Sequence, residues 1–204
     1  QGGLNLGGGE TQTTLSVAGG MTLAGTGISL LSGLGPLQFD VLGDLSMAVF
    51  PGSDAGMALG LVSDAPTGTV NFVVAGAFNV GGAGEAAATM AGPFTGNVDS
   101  MQLGLLQDGI GILNLIEGAT LTVANELRVG VEGTGRINVS SNAALAADTL
   151  LLGGPEPDSA AGTDAPSQIT VGSGGNLTVT TTFEVGRDVN QQGQIDLGGG
   201  EPQT

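Results

Sequence analysis

The phrase LTVANELRVG (121–130) returns as LTVTTTFEVG (177–186), with five of ten positions identical at an offset of 56. Apolar residues fall at the same places in both copies: Leu121, Val123, Leu127 and Val129 against Leu177, Val179, Phe183 and Val185. In each half they alternate with other residues, and a glycine closes the phrase. A period of two puts alternate side chains on one face of an extended chain, so each copy reads as two short strands separated by a bend. A unit of this kind repeated along a chain implies coils of backbone stacked on one another.

Working outward, Ala144, Ala146, Leu150, Leu152 and Gly153 can be set beneath Leu121, Val123, Leu127, Val129 and Gly130 at a spacing of 23. The step from Ala144 to Leu177 is 33, and the surplus of ten is the acidic loop PEPDSAAGTDAPS at 155–167. Coils of about 23 residues are therefore expected, with ILNL (112–115), RINV (136–139), QITV (168–171) and QIDL (194–197) as further strands. Such a coil cannot bury its own apolar side and must stack on a neighbour about 4.8 Å away. Gly130, Gly153 and Gly186 fall at one repeated corner, where a positive φ or crowded backbone favours glycine. The predicted fold is all-β: a β-solenoid (parallel β-helix) forming a single domain over 1–204, a rod on the order of 40 Å long by the strand spacing. Its handedness is open.

The N-terminal segment 1–25 repeats the pattern loosely, with Leu4 and Leu6, Leu15 and Val17, and Met21 and Leu23 each on one side of a strand. The two ends also echo each other: QGGLNLGGGETQT (1–13) matches QGQIDLGGGEPQT (192–204) at 9 of 13 positions, an offset of 191. Residues 26–110 are less regular. The same apolar template fits Phe39, Val41, Leu45 and Met47, and again Phe72, Val74, Phe78 and Val80. With 40% hydrophobic residues such hits arise about five times by chance, so they carry no weight alone. PGSDAG (51–56) and SDAPTG (63–68) have turn chemistry. EAAATMA (85–91) has helical propensity and reads as a short lateral helix or loop, with 81–110 an insertion leaving the stack or a small cap.

Composition narrows the function. The chain of 204 residues has 40 Gly, no Cys, His, Trp or Tyr, three Lys+Arg against 19 Asp+Glu, and a net charge of −16. The three cations are Arg128, Arg136 and Arg187. Binding to nucleic acid or anionic lipid rests on Lys and Arg, so neither partner is expected. No apolar run approaches the roughly 20 residues of a membrane span. The chain begins at Gln1 rather than Met, which suggests a processed or excerpted piece. Without His, Cys, Tyr or Lys the usual acid–base and nucleophilic groups are missing, so no enzyme and no catalytic residue are expected. The six Phe, mostly at pattern positions, read as core rather than as sugar platforms.

Glu156, Asp158 and Asp164 share one loop and are the candidates for a metal, with calcium the cofactor their hard oxygens would suit; their spacing matches no calcium motif, and a solvated loop is the plainer reading. Thr178, Thr180 and Thr182 could form a flat hydroxyl row, but their equivalents break it. Arg128 and Glu126 are placed for an outward charge pair worth about 0–1 kcal/mol.

The run LTVANELRVGVEGTGRINVSSNAALAADTLLLGG (121–154), with QITVGSGGNLTVTTTFEVGRD (168–188), resembles the glycine-rich β-strand repeats of bacterial autotransporter passengers and related exported surface proteins. The resemblance covers about 111–204 and, weakly, 1–25. It implies bacterial export, a β-helix, an extracellular or cell-surface place, and adhesion or surface structure; it carries over no catalytic residues. The expected function is a non-enzymatic structural subunit that polymerises head to tail with itself, through end residues Leu4, Leu6, Glu10, Ile195, Leu197 and Glu201. The alternative is an adhesin stalk or passenger domain that binds a host, mineral or other cell-surface component.

Overall fold

The computed structural model describes residues 3–6, 12–24, 27–30, 36–59, 68–153, 167–186 and 193–198, and every element among them is a β-strand. The chain opens with β1 (Gly3–Leu6), β2 (Thr13–Val17) and β3 (Met21–Leu23), then β4 (Gly27–Leu30), β5 (Leu37–Val41) and β6 (Leu45–Met47). From there short and long strands alternate: β7 (Asp54–Leu59), β8 (Val70–Val80), β9 (Glu85–Ala91) and β10 (Phe94–Leu103). The second half holds β11 (Ile110–Ile116), β12 (Thr120–Val129), β13 (Thr134–Val139), β14 (Ala144–Leu152), β15 (Ser167–Val171), β16 (Asn176–Val185) and β17 (Gly193–Leu197). Successive strands alternate between two parallel sheets. One sheet runs β1-β4-β7-β9-β11-β13-β15-β17; the other runs β2-β5-β8-β10-β12-β14-β16, with β3 and β6 extending β2 and β5. The arrangement is a parallel β-helix.

Inward residues form ladders along the axis, because a parallel register repeats the same strand position on every rung. One is nearly all valine: Val17, Val41, Val74, Val98, Val123, Ala147 and Val179 pair in turn. Another runs Met21, Leu45, Phe78, Met101, Leu127, Leu150 and Phe183. Four phenylalanines fill the middle of the rod. Phe72 lies 5.4 Å from Phe39, 5.6 Å from Phe78 and 6.1 Å from Phe94, centroid to centroid, and all four are buried. The Phe94 ring occupies the space beside Gly96, where a Cβ would stand 2.9 Å from it. Burial of each such side chain contributes about 1.5–3 kcal/mol. The template hits at Phe39 to Met47 and Phe72 to Val80, discounted on statistics, are therefore true rungs.

Three expectations need correction. EAAATMA is neither helix nor loop but β9, held between β7 and β11 with Ala86, Ala88 and Met90 buried. Seven residues are too few to nucleate a stable helix, and two strand edges supply the competing hydrogen bonds. Residues 81–110 likewise do not leave the stack, since β9 and β10 are rungs of the two sheets. The superposition of Ala144 on Leu121 is one residue out as well: Leu121 pairs with Leu145 and Val123 with Ala147, while Leu127 pairs with Leu150. The offset is thus 24 before the bend and 23 after it, because β12 spends Ala124 and Asn125 there and β14 only Asp148. Elsewhere the step varies, reaching 33 between Leu37 and Val70.

The glycine corner is as expected. Gly130, Gly153 and Gly186 have φ of 77°, 68° and 62°, and each N–H donates to a strand carbonyl one rung back: Leu103, Val129 and Leu152. At Gly104, on the same corner, a Cβ would lie 2.4 Å from the Thr134 carbonyl oxygen, so both conformation and space call for glycine.

Candidate functional site

A stack of parallel strands leaves two terminal rungs whose outer backbone edge has no further strand to pair with, and such an edge is a template on which another strand can pair. Among the described residues the terminal strands are β1, β2 and β3 at one end and β16 and β17 at the other. Two ladders tie the ends together. Leu4, Ile28, Met57, Ala88, Leu113, Ile137, Ile169 and Ile195 form one, and the ladder two residues on joins Leu6 to Leu197. The 191-residue echo is therefore also a structural register. The two edge strands of one sheet carry similar residues at the same ladder positions, Leu4 and Ile195, Asn5 and Asp196, Leu6 and Leu197.

Side chains at the β16 and β17 end are open. Phe183 is 46% exposed, Val185 43% and Leu197 71%, although their ladder partners Leu150, Leu152 and Val171 are covered or half-covered. Leu177, Val179 and Ile195 are half-buried against the core. At the opposite end Leu15, Val17 and Met21 are also half-buried, and Leu23 is covered. Of the sequence-derived end residues, Leu4, Leu6, Ile195 and Leu197 lie on the edge strands β1 and β17. Glu10 and Glu201 lie outside the described residues, as do Glu156, Asp158 and Asp164. The sequence reading missed Phe183 and Val185 as end residues, although both stand in its deciding phrase; their exposure depends on which rung is last.

A second feature runs along the bend of the longer strands. Asp44, Asp99 and Asp148 sit there on alternate rungs, and the rungs between supply donors. Asp44 Oδ1 accepts from the Ala77 N–H at 2.9 Å, Asp99 Oδ1 from the Asn125 amide at 2.7 Å, and Asp148 Oδ1 from the hydroxyls of Thr180 and Thr181. Two carboxylates on adjacent rungs would stand about 4.8 Å apart and repel; skipping a rung doubles the distance. The hydroxyl of Thr181 first, and that of Thr180 second, hold the Asp148 carboxyl below its ordinary 3.8. On the other sheet Asn138 donates to Asn114 at 2.8 Å and Asn114 to Thr89 at 3.3 Å, an outward amide ladder. Arg128 pairs with Glu126, each about one-third exposed. The threonine row is interrupted where Thr178 meets Ala146.

Among the described residues no three His, Cys, Asp or Glu side chains converge as metal ligands, and no helix is long and apolar enough to cross a membrane. No protein-family model, curated protein or solved structure matches the chain.

Proposed function

We propose that the chain is a non-enzymatic extracellular structural protein, a β-helical subunit that stacks end to end into a filament, surface fibre or sheath. One observation carries the reading: the two edge strands of the eight-stranded sheet place similar residues in a single register, Leu4 with Ile195, Asn5 with Asp196 and Leu6 with Leu197, within segments that match at 9 of 13 positions. Contact between one end and the opposite end of another copy is heterologous, and such contacts propagate into open fibres rather than closed dimers. Support also comes from the apolar side chains left open at Phe183, Val185 and Leu197. The absence of His, Cys, Lys and Tyr from the whole sequence supports a structural rather than catalytic role.

Electron microscopy and light scattering over a concentration series test this. Unbranched axial particles that lengthen with concentration are expected, and Phe183→Asp with Leu197→Asp should return them to monomers. Wild-type particles that stay monomeric at every concentration would sink the reading. The same 191-residue echo favours a second arrangement, in which the chain is one repeat of a longer surface stalk or adhesin. The mass of the natural protein separates the two.

A further inference from the structure

The outward face of the eight-stranded sheet is stepped along its middle rungs. At one ladder position β7 and β9 carry Gly56 and Ala87, while β11 and β13 carry Ile112 and Arg136. All four point away from the core, because the next residue of each strand, Met57, Ala88, Leu113 and Ile137, belongs to a buried ladder. Two of them are not explained within the chain. Gly56 lies outside the left-handed region and a Cβ there would meet nothing within 4 Å, so neither conformation nor space among the described residues calls for glycine. Arg136 is exposed and has no ion-pair partner among the described residues. The carboxylates of this face are also unlike those of the bend. Asp44, Asp99 and Asp148 skip a rung, whereas Asp54 and Glu85, both exposed, stand on adjacent rungs about 4.8 Å apart, where like charges repel.

We propose that this face pairs with the same face of a second copy, about a two-fold axis that runs along the strands between β9 and β11. The contact is lateral, uses neither end of the stack, and goes beyond the end-to-end reading. Rotation about such an axis keeps each ladder position and reverses the order of rungs, so β11 lies over the partner's β9 and β13 over the partner's β7. Ile112 then seats on the partner's Ala87, and Arg136 on the partner's Gly56. Large residues meet small ones at both places, and the two-fold repeats each contact. The glycine without a role inside the chain becomes the seat of the arginine without a partner.

Charge follows shape. Asp54 lies two residues before Gly56, about 6.6 Å along the strand, and Glu85 holds the same position one rung on. Each Arg136 therefore comes to rest beside both carboxylates of the other copy, and relieves the repulsion between them. In this register the partner's Thr134 lies over Asp54 and the partner's Ile110 over Glu85, so no two acids of these four strands face each other. Four rungs by six residues cover about 19 by 20 Å, roughly 400 Å² of each copy. Stable complexes bury about 800 Å² a side, so the pair is a weak one that high concentration, or repetition along a filament, makes visible. Because the axis crosses the rod, rods joined this way run in opposite directions.

Charge exchange tests the register by sedimentation equilibrium at near-millimolar concentration. The parent chain carries Phe183→Asp and Leu197→Asp, so that axial contact does not contribute, and it should form dimers. Arg136→Glu sets acid against acid at both clusters, and Asp54→Arg with Glu85→Arg sets base against base; each variant alone should dimerise about tenfold more weakly or worse. Mixed in equal amounts, the two variants restore opposite charges at both clusters, and the mixed dimer should regain the parent's affinity. Gly56→Leu, which enters open space within the chain, should leave urea stability unchanged and weaken the dimer about tenfold. Repulsion between acidic bodies alone gives a different pattern, since two acid-to-arginine exchanges raise the net charge by four units and would strengthen association. A double-arginine variant that dimerises more tightly than the parent overturns the proposal. So does a mixture that regains nothing, or a parent chain that stays monomeric.

Discussion

Ala48 has a φ of 52° at the corner where the later rungs place glycine, and its N–H donates to the Leu23 carbonyl as Gly104's does to Val80. A left-handed conformation costs a Cβ-bearing residue roughly 1–2 kcal/mol. Ala48 is fully buried, and its methyl contributes about 0.8 kcal/mol. The two nearly cancel, so Ala48→Gly should shift unfolding free energy by less than about 1 kcal/mol. Gly104→Ala has no such compensation: the same strain is joined by a Cβ 2.4 Å from the Thr134 carbonyl oxygen, and a loss of about 2 kcal/mol or more is expected in urea titration. Equal effects at the two sites would refute the corner argument. At Asp148 the folded carboxyl titrates below 3.8 because threonine hydroxyls favour its charged form. Its contribution to stability is present above 3.8 and is lost as pH falls through the lower folded value. Removing the larger of the two bonds with Thr181→Val should raise the Asp148 carboxyl titration followed by NMR toward 3.8, with Thr180 still bonded. A titration unmoved by the substitution would show that the hydroxyl bond does not act on the carboxyl.

At the scale of strands, what could be read in the sequence was what the fold repeats with the same residues. LTVANELRVG and LTVTTTFEVG declared their ladders because Leu121 with Leu177 and Val129 with Val185 occupy common positions two rungs apart. Phe39 to Met47 and Phe72 to Val80 occupy the same ladders but share few residues with those phrases, so only geometry distinguishes them from chance. EAAATMA failed for a different reason. Alanine favours a helix in isolation, but inside a stack the small Ala86 and Ala88 fit inward positions and the flanking strands decide the conformation. Bend length was the third illegible quantity: one residue at Asp99 or Asp148, two at Ala75–Gly76, Ala124–Asn125 or Thr180–Thr181. A bend can absorb a residue without moving either half-strand off its face, so the alignment before the bend slips while the alignment after it holds. Of the candidate site, β1 and β17 were legible through their shared phrase. The open Phe183 and Val185 were not, because exposure there follows from the order of strands rather than from residue type.

For the whole molecule the decisive balance is between apolar ends and an acidic body. Each copy carries −16, and most described carboxylates sit on bends and outer faces along the rod, not on the inward ladders at its ends. Eight rungs span about 34 Å, so two copies in axial contact place their charge centres about that far apart. At 0.01 M ionic strength the screening length is about 30 Å and the bodies repel across that distance; at 0.15 M it is about 8 Å and they do not. The side chains left open on β16 and β17 are the apolar Phe183, Val185 and Leu197, so in the proposed end contact screening removes an opposing force without weakening an attractive one. Assembly followed by light scattering should therefore be slow at 0.01 M salt, rise steeply toward 0.15 M and change little beyond it. Apolar association strengthens further in sulfate, which should lengthen the particles at equal ionic strength. Assembly that instead declines as salt is added would mean that ion pairs hold the ends together, and would contradict an apolar end contact.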